Sequence, residues 1–165
     1  MELRVYSEDD LALTVALECD PEVMRELGGA VSREGAEDAH RRRVENVKTD
    51  PWWFAIVPEE DGPAAGAIGI WKSEWEGEPV DEVGWMVLPE FQGRGIASEA
   101  LGLLIGRARA RARSERIHAF PGVTNAPSNA LCRKYGFAHL GESEVKFRDR
   151  PLRVNHWALD LTAGD

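Results

Sequence analysis

The sequence predicts an α/β (α+β) fold in which a mixed, mostly antiparallel twisted sheet carries a central β-α-β unit and flanking helices. Three aromatic and β-branched runs between residues 52 and 88 are parted by Asp61-Gly62-Pro63 and Glu76-Gly77-Glu78-Pro79, the pattern of an antiparallel meander. A helical pattern from Gly95 to about Arg113 then precedes another strand-like segment, and a crossover helix requires the strands on either side of it to run parallel. With 165 residues, 43% of them hydrophobic, the chain suits one domain over 1–165 with its own core.

In chain order, residues 2–6 alternate polar and apolar like a half-buried strand. Ser7 is placed to cap a helix over 8–18 whose first turn is acidic. Asp20-Pro21 opens a short helical piece ended by Gly28-Gly29, and Ser32 caps a polar helix over 33–48 stopped by Asp50-Pro51. The meander strands cover 52–57, 64–75 and 80–88. The helix after Gly95 sets Ala97, Leu101, Leu104 and Ala108 on one face, and residues 117–123 form the strand beside the third meander strand. Asn125-Ala126-Pro127-Ser128 opens a helix to about Tyr135 that Gly136-Phe137 ends. Strands over 138–147 and 152–161 flank Arg148-Asp149-Arg150-Pro151 as a hairpin, and the strand over 152–161 is offered as one that could pair across a dimer.

Charge narrows the function. Asp and Glu number 29 against 20 Lys and Arg, a net charge of −9, which disfavours a nucleic-acid partner. The imbalance is uneven: residues 1–91 carry net −14 and residues 92–165 net +5, an asymmetry suited to a cation on one half and an anion on the other. The opening residues carry early acids and no long apolar run, unlike a secretory signal. Apolar stretches such as Ala100 to Gly106 are far short of the roughly 20 residues of a membrane span. Cys19 and Cys132 stand far apart with no Cys/His cluster, so neither a zinc site nor a disulfide framework is expected, and a cytoplasmic location is the expectation.

The segment richest in chemistry is Val83-Gly84-Trp85-Met86-Val87-Leu88-Pro89-Glu90-Phe91-Gln92-Gly93-Arg94-Gly95-Ile96-Ala97. A strand runs into a Gly-rich loop and then a helix. Glycines let backbone N–H groups approach an anion, the helix start adds free donors and a positive partial charge, and Arg94 adds a formal one. The loop is neither a GxxxxGK[ST] nor a GxGxxG motif. Gln92-Gly93-Arg94-Gly95-Ile96-Ala97 instead resembles the Q/R-x-x-G-x-G/A signature of the GCN5-related N-acetyltransferases. Asn125-x-x-Ser128 with Ala130-Leu131-Cys132-Arg133-Lys134-Tyr135-Gly136-Phe137 is similar to the same family, and Glu82-Val83-Gly84-Trp85 looks most like its ribosomal-protein-alanine acetyltransferase branch.

The resemblance implies acetyl-CoA as co-substrate, its pyrophosphate held by Gln92, Gly93, Arg94, Gly95, Ile96 and Ala97, and its pantetheine arm paired with backbone at Met86 and Val87, where the crossover strand splays from its neighbour. It also implies Val87 N–H as an oxyanion donor, with no metal. The acceptor is then a small-molecule amine or a peptide N-terminus, with neither nucleic acid nor membrane as partner, and the chain is a monomer or homodimer. The amine must lose a proton to attack, so a base is needed, and an acid near the departing thiolate helps. Glu82 matches the branch's catalytic glutamate and Ser128 its serine; as residues, they read equally as a strand-edge acid and a helix cap. Asn125 suits the pantetheine amides, or a turn before Pro127. Many members have a tyrosine acid where this chain has Cys132, so that role does not carry over; Cys132 reads as helix packing.

Arg107, Arg109, Arg111, Arg113 and Arg116, and Arg41 to Arg43, read as solvated helix residues. Trp71 and Trp75, beside Glu74, Glu76, Glu78 and Asp81, read either as an amine pocket or as an ordinary acidic hairpin. His118 and His156 lack ligand-spaced partners. Two other function classes remain: a non-catalytic acyl-CoA-binding regulatory module, and an interaction domain whose glycine turn is incidental.

Overall fold

A computed structural model describes residues 1–147 and 149–162; Arg148 of the expected 148–151 turn lies outside the described residues. Among the described residues seven strands form one sheet: β1 (Glu2–Val5), β2 (Trp53–Val57), β3 (Gly66–Trp75), β4 (Glu78–Val87), β5 (Arg116–Ala119), β6 (Ala138–Phe147) and β7 (Arg150–Asp160), in the order β1-β2-β3-β4-β5-β7-β6. Among the described residues the α-helices are α1 (Leu11–Glu18), α2 (Arg33–Thr49), α3 (Ile96–Ala110) and α4 (Ala126–Lys134). β4 and β5 pair in parallel, joined through α3, whereas β1–β2, β2–β3, β5–β7 and β6–β7 are antiparallel. This is the mixed sheet with a central β-α-β unit that the sequence predicts. No helix among the described residues is long and apolar enough to cross a membrane.

The residues fall into two compact units. The first comprises Met1–Arg25, Gly29–Gly69 and Trp85–Leu101. Its core gathers Tyr6, Leu13, Leu17, Ala55 and Ala67, with Val23, Val47 and Trp53 packed against them. The helix expected over 8–18 starts instead as a 3-10 turn at Glu8–Asp10. Ser7 forms a capping box there, its hydroxyl accepting from Asp9 N–H while the Asp10 carboxylate accepts from Ser7 N–H at 2.8 Å. Arg4 holds the same carboxylate at 2.6 Å, so Asp10 serves the cap and the strand before it. Ser32 caps α2 by accepting from Gly35 N–H at 3.1 Å. Arg43 on α2 departs from the solvated arginine the sequence suggests: it is 14% exposed, pairs with buried Glu18 and lies 4.8 Å over the Trp53 ring.

The second unit comprises Glu26–Gly28, Ile70–Gly84 and the chain from Gly102. The turn after β3 is tighter than the four residues expected. Glu76 (φ 52°) and Gly77 (φ 81°) both take positive φ, the two-residue geometry that matches strand twist, so Glu78 and Pro79 belong to β4. α3 ends at Ala110, short of Arg113. Ala112 adopts φ 45°, and the Arg113 N–H returns to Ala108 C=O at 3.0 Å, closing the helix in a Schellman arrangement. α4 closes the same way through Gly136 (φ 76°), as the sequence signals. β5 stops at Ala119 although strand was expected to 123. Pro121 has no N–H to donate, and the chain beyond follows β7, with Asn155 N–H on Pro121 C=O at 2.9 Å and Val123 N–H on Arg153 C=O at 3.0 Å. β7 begins at Arg150 rather than 152, and it lies between β5 and β6. Both its edges are occupied, so it cannot pair across a dimer as suggested; β6 is the strand at that end of the sheet.

Arg113 is also not solvated. It is 10% exposed and lies 3.1 Å from Asp81, itself 7% exposed. Lys72 at 2.9 Å and the Ser114 hydroxyl at 2.6 Å complete the cluster. Burial alone would push the Asp81 carboxyl up, but these hydrogen bonds and charges prevail and hold it below the usual carboxylate range. A carboxyl lowered by folding adds stability above its unfolded pKa, and that gain disappears as pH falls through the folded value. Asp81→Ala should therefore cost about 3–4 kcal/mol in urea unfolding at pH 7 by leaving Arg113 without its carboxylate, and the difference from wild type should shrink below about pH 4.

Candidate active site

In the first unit, the end of β4 passes through a 3-10 turn at Pro89–Phe91 into an exposed loop and then α3. Leu88 N–H donates to Ala65 C=O at 2.8 Å, and the Gln92 side chain donates to Val87 C=O at 2.9 Å, fastening the loop to the strand end. Gly93 and Gly95 take φ 71° and 78°, and no heavy atom lies within 4 Å of where a Cβ would stand at either. The loop is thus open on the side a side chain would fill. Glu99 N–H bonds Gly95 C=O at 3.0 Å, so the loop runs directly into the first turn of α3. Arg94 lies 5.6 Å over the Phe91 ring. Positive-φ glycines, the start of a helix and one guanidinium are chemistry that suits phosphate oxygens. Gln92 to Ala97, Met86 and Val87 are therefore together in one continuous stretch.

In the second unit, Glu82 sits on β4 opposite His118 of the parallel strand β5. Burial pushes its carboxyl above the usual range, against hydrogen bonds from Ser73 and Trp71 of β3. The Trp71 ring covers Gly84 so closely that a Cβ there would lie 2.6 Å from it. Trp75 stacks on Phe120 with centroids 4.5 Å apart, and Phe120 on His156 at 4.8 Å. His118 Nδ1 lies 2.9 Å from His156 Nε2. Burial and the neighbouring His118 drop His156 to about 4, and burial also lowers His118. Asp81, expected as a possible attractor of the amine, is committed to Arg113, Lys72 and Ser114.

The cap of α4 is Asn125, not Ser128: its side chain accepts from Ser128 N–H at 3.2 Å. The node that sequence reading missed is Asn129, 3% exposed. Its amide donates to Gly122 C=O at 2.9 Å and Asn125 C=O at 2.8 Å, and its carbonyl accepts from Asn155 and the Trp157 indole at 2.8 and 2.9 Å. An asparagine on the inner face of a short helix gives no signal in one sequence. The Cys132 thiol is buried and pushed up to about 12, so it packs rather than attacks. Among the described residues no group of three or more His, Cys, Asp or Glu could hold a metal. Asn129→Leu should destabilise the protein by about 2–4 kcal/mol in thermal or urea unfolding, because buried donors on Asn155 and Trp157 lose their acceptor.

A family model for the acetyltransferase (GNAT) domain matches residues 1–138. An N-acetyltransferase 9-like protein of Nematostella vectensis is 30% identical over 92 residues, 55% of this chain but only 46% of that protein, so the match spans under half of its length. The uncharacterized N-acetyltransferase YnaD of Bacillus subtilis is 26% identical over 84% of this chain and 79% of its own. Among solved structures, a ribosomal-protein-alanine N-acetyltransferase from Brucella melitensis superposes with TM-score 0.75 at 24% identity, covering 97% of this chain and 99% of that one. A Salmonella typhimurium protein solved with its cofactor acetyl-CoA gives 0.72 at 21% identity, covering 100% and 96%. At these identities the structures show a shared fold. With more than four-fifths of its length inside the family model, the chain belongs to the GCN5-related N-acetyltransferase (GNAT) family.

Proposed function

We propose that the protein is one N-acetyltransferase domain over 1–165 that transfers acetyl from acetyl-CoA to a primary amine by direct attack. The observation that carries this reading is the open glycine loop at the start of α3, whose donors suit the CoA pyrophosphate. The acetyl-CoA bound to the Salmonella protein of the same fold supports the cofactor. The name of the Brucella protein supports a peptide N-terminus among the acceptors, beside small-molecule amines.

In this reading the amine nitrogen adds to the thioester carbonyl, the C–S bond breaks, and an amide and CoA thiol result. From an ammonium acceptor two protons leave nitrogen: one ends on the thiolate and the other on water. Glu82 takes a proton as base, Ser128 supplies one to the thiolate, Val87 N–H meets the oxyanion, and Asn125 helps hold pantetheine. Burial raises the Glu82 carboxyl above the usual range, so it holds a proton more readily than an ordinary carboxylate, which supports the role of base.

The decisive experiment is thiol release from acetyl-CoA across a panel of amines and N-terminal peptides. Turnover supports the reading; CoA binding without turnover on any acceptor points instead to a non-catalytic acyl-CoA module. Gly95→Val should weaken CoA binding at least tenfold in a thermal-shift titration, since its positive φ strains a branched residue and the new Cβ fills the phosphate approach. Glu82→Gln should lower kcat about a hundredfold and remove the acid limb of the pH–rate profile. In the wild type that limb should lie above the ordinary carboxylate range, with activity falling as pH drops and Glu82 is protonated.

A further inference from the structure

We propose that His118 and His156 form a proton relay that drains Glu82 during acetyl transfer. The proposal rests on the acetyltransferase reading and adds positioning residues that act through Glu82. Register carries it first. Residues opposite one another in paired strands point to the same face, so Glu82 on β4 and His118 on β5 share one. His118 then reaches His156 on β7 across a 2.9 Å Nδ1···Nε2 hydrogen bond. Two imidazoles can share such a bond only if one nitrogen is protonated and the other is bare, so the two rings cannot both be cations while it holds.

The surroundings disfavour positive charge on the pair. Trp75 lies 4.8 Å from His156, Phe120 stacks 4.8 Å from it, and Phe120 also faces His118. Among the described residues, the charged and titratable groups acting on the pair are Asp81 from β4, Arg116 on β5 and His139 from β6, and Glu82 stands opposite His118 in register. β3 presents Trp71, Ser73 and Trp75 on the face that carries Glu82, with no ionisable group among them. A neutral imidazole pair accepts a proton at one ring while releasing another from the second, and both return to their starting charge. In the step proposed, the proton taken from the attacking nitrogen passes from Glu82, through one bridging water, to His118; the shared hydrogen bond shifts, and His156 releases a proton to solvent. No electrons change hands and no other reactant is needed. The relay gives the second proton of an ammonium acceptor its route to water.

The test compares wild type with His118→Gln, His156→Gln and His118→Ala, reading steady-state kinetics, pH–rate profiles and CoA-induced thermal shift. The relay predicts that each Gln variant keeps its CoA shift and KM while kcat falls about tenfold to a hundredfold, less than for loss of the base itself. It also predicts that the rate of His118→Ala rises at least fivefold with added imidazole and becomes dependent on buffer concentration, which a merely structural histidine would not show. Unchanged kcat and pH profile in both Gln variants would overturn the relay, as would a loss that imidazole does not restore in a folded, CoA-binding His118→Ala. Absence of turnover by the wild type with any amine overturns the acetyltransferase reading and the relay with it, a result distinct from failure of the relay alone.

Discussion

The parallel pairing of β4 with β5 is the constraint on which the rest depends. Parallel neighbours cannot be joined by a tight turn, so the chain must leave the end of β4, climb through a helix and return. That path places the start of α3, the positive end of its dipole, in the segment that follows the exit of β4. The glycines at 93 and 95 are what such an exit requires: their φ values of 71° and 78° are costly for any residue with a Cβ. The glycine loop is thus a by-product of the crossover, and the Gln92 clamp on Val87 C=O fastens it to the strand end.

The same pairing organises the second unit. Placing β5 beside β4 sets His118 opposite Glu82, and the antiparallel β7 then brings His156 to His118. The Schellman turn at Ala112 swings Arg113 inward to Asp81, next to Glu82 in sequence. Two adjacent acids on β4 consequently meet opposite electrostatics. Asp81, ringed by Arg113, Lys72 and Ser114, is held charged. Glu82, half-buried and accepting from Ser73 and Trp71, is pushed toward its neutral form by burial. Alternation along a strand sends the two side chains to opposite faces, which is why one serves stability and the other suits proton transfer.

Much of this was legible before any coordinates. The element order, the crossover, the Ser7 and Ser32 caps and the Gly136 stop were all readable, because each rests on short-range chemistry: hydrophobic period, side-chain capping, positive φ. The glycine loop was readable for the same reason. The turn at Glu76-Gly77 was misread by two residues because Pro79 resembles a breaker yet is tolerated near a strand's start. The end of β5 was misplaced because a proline's effect there depends on which neighbour it faces. Asn129, Arg43 and Arg113 were invisible or misassigned because their partners, Trp157, Glu18 and Asp81, are 25 to 32 residues away in sequence.

The sequence by itself determined the sheet's mixed character, the β-α-β unit, the glycine loop and the family, since all are local patterns or contiguous motifs. Only the tertiary structure decided which acid is free to hold a proton, which arginines are buried, where β7 lies in the sheet and that two histidines 38 residues apart share a hydrogen bond. The reason is physical: burial and charge pairing depend on which distant segments meet, and strand order brings together residues that no spacing along the chain connects.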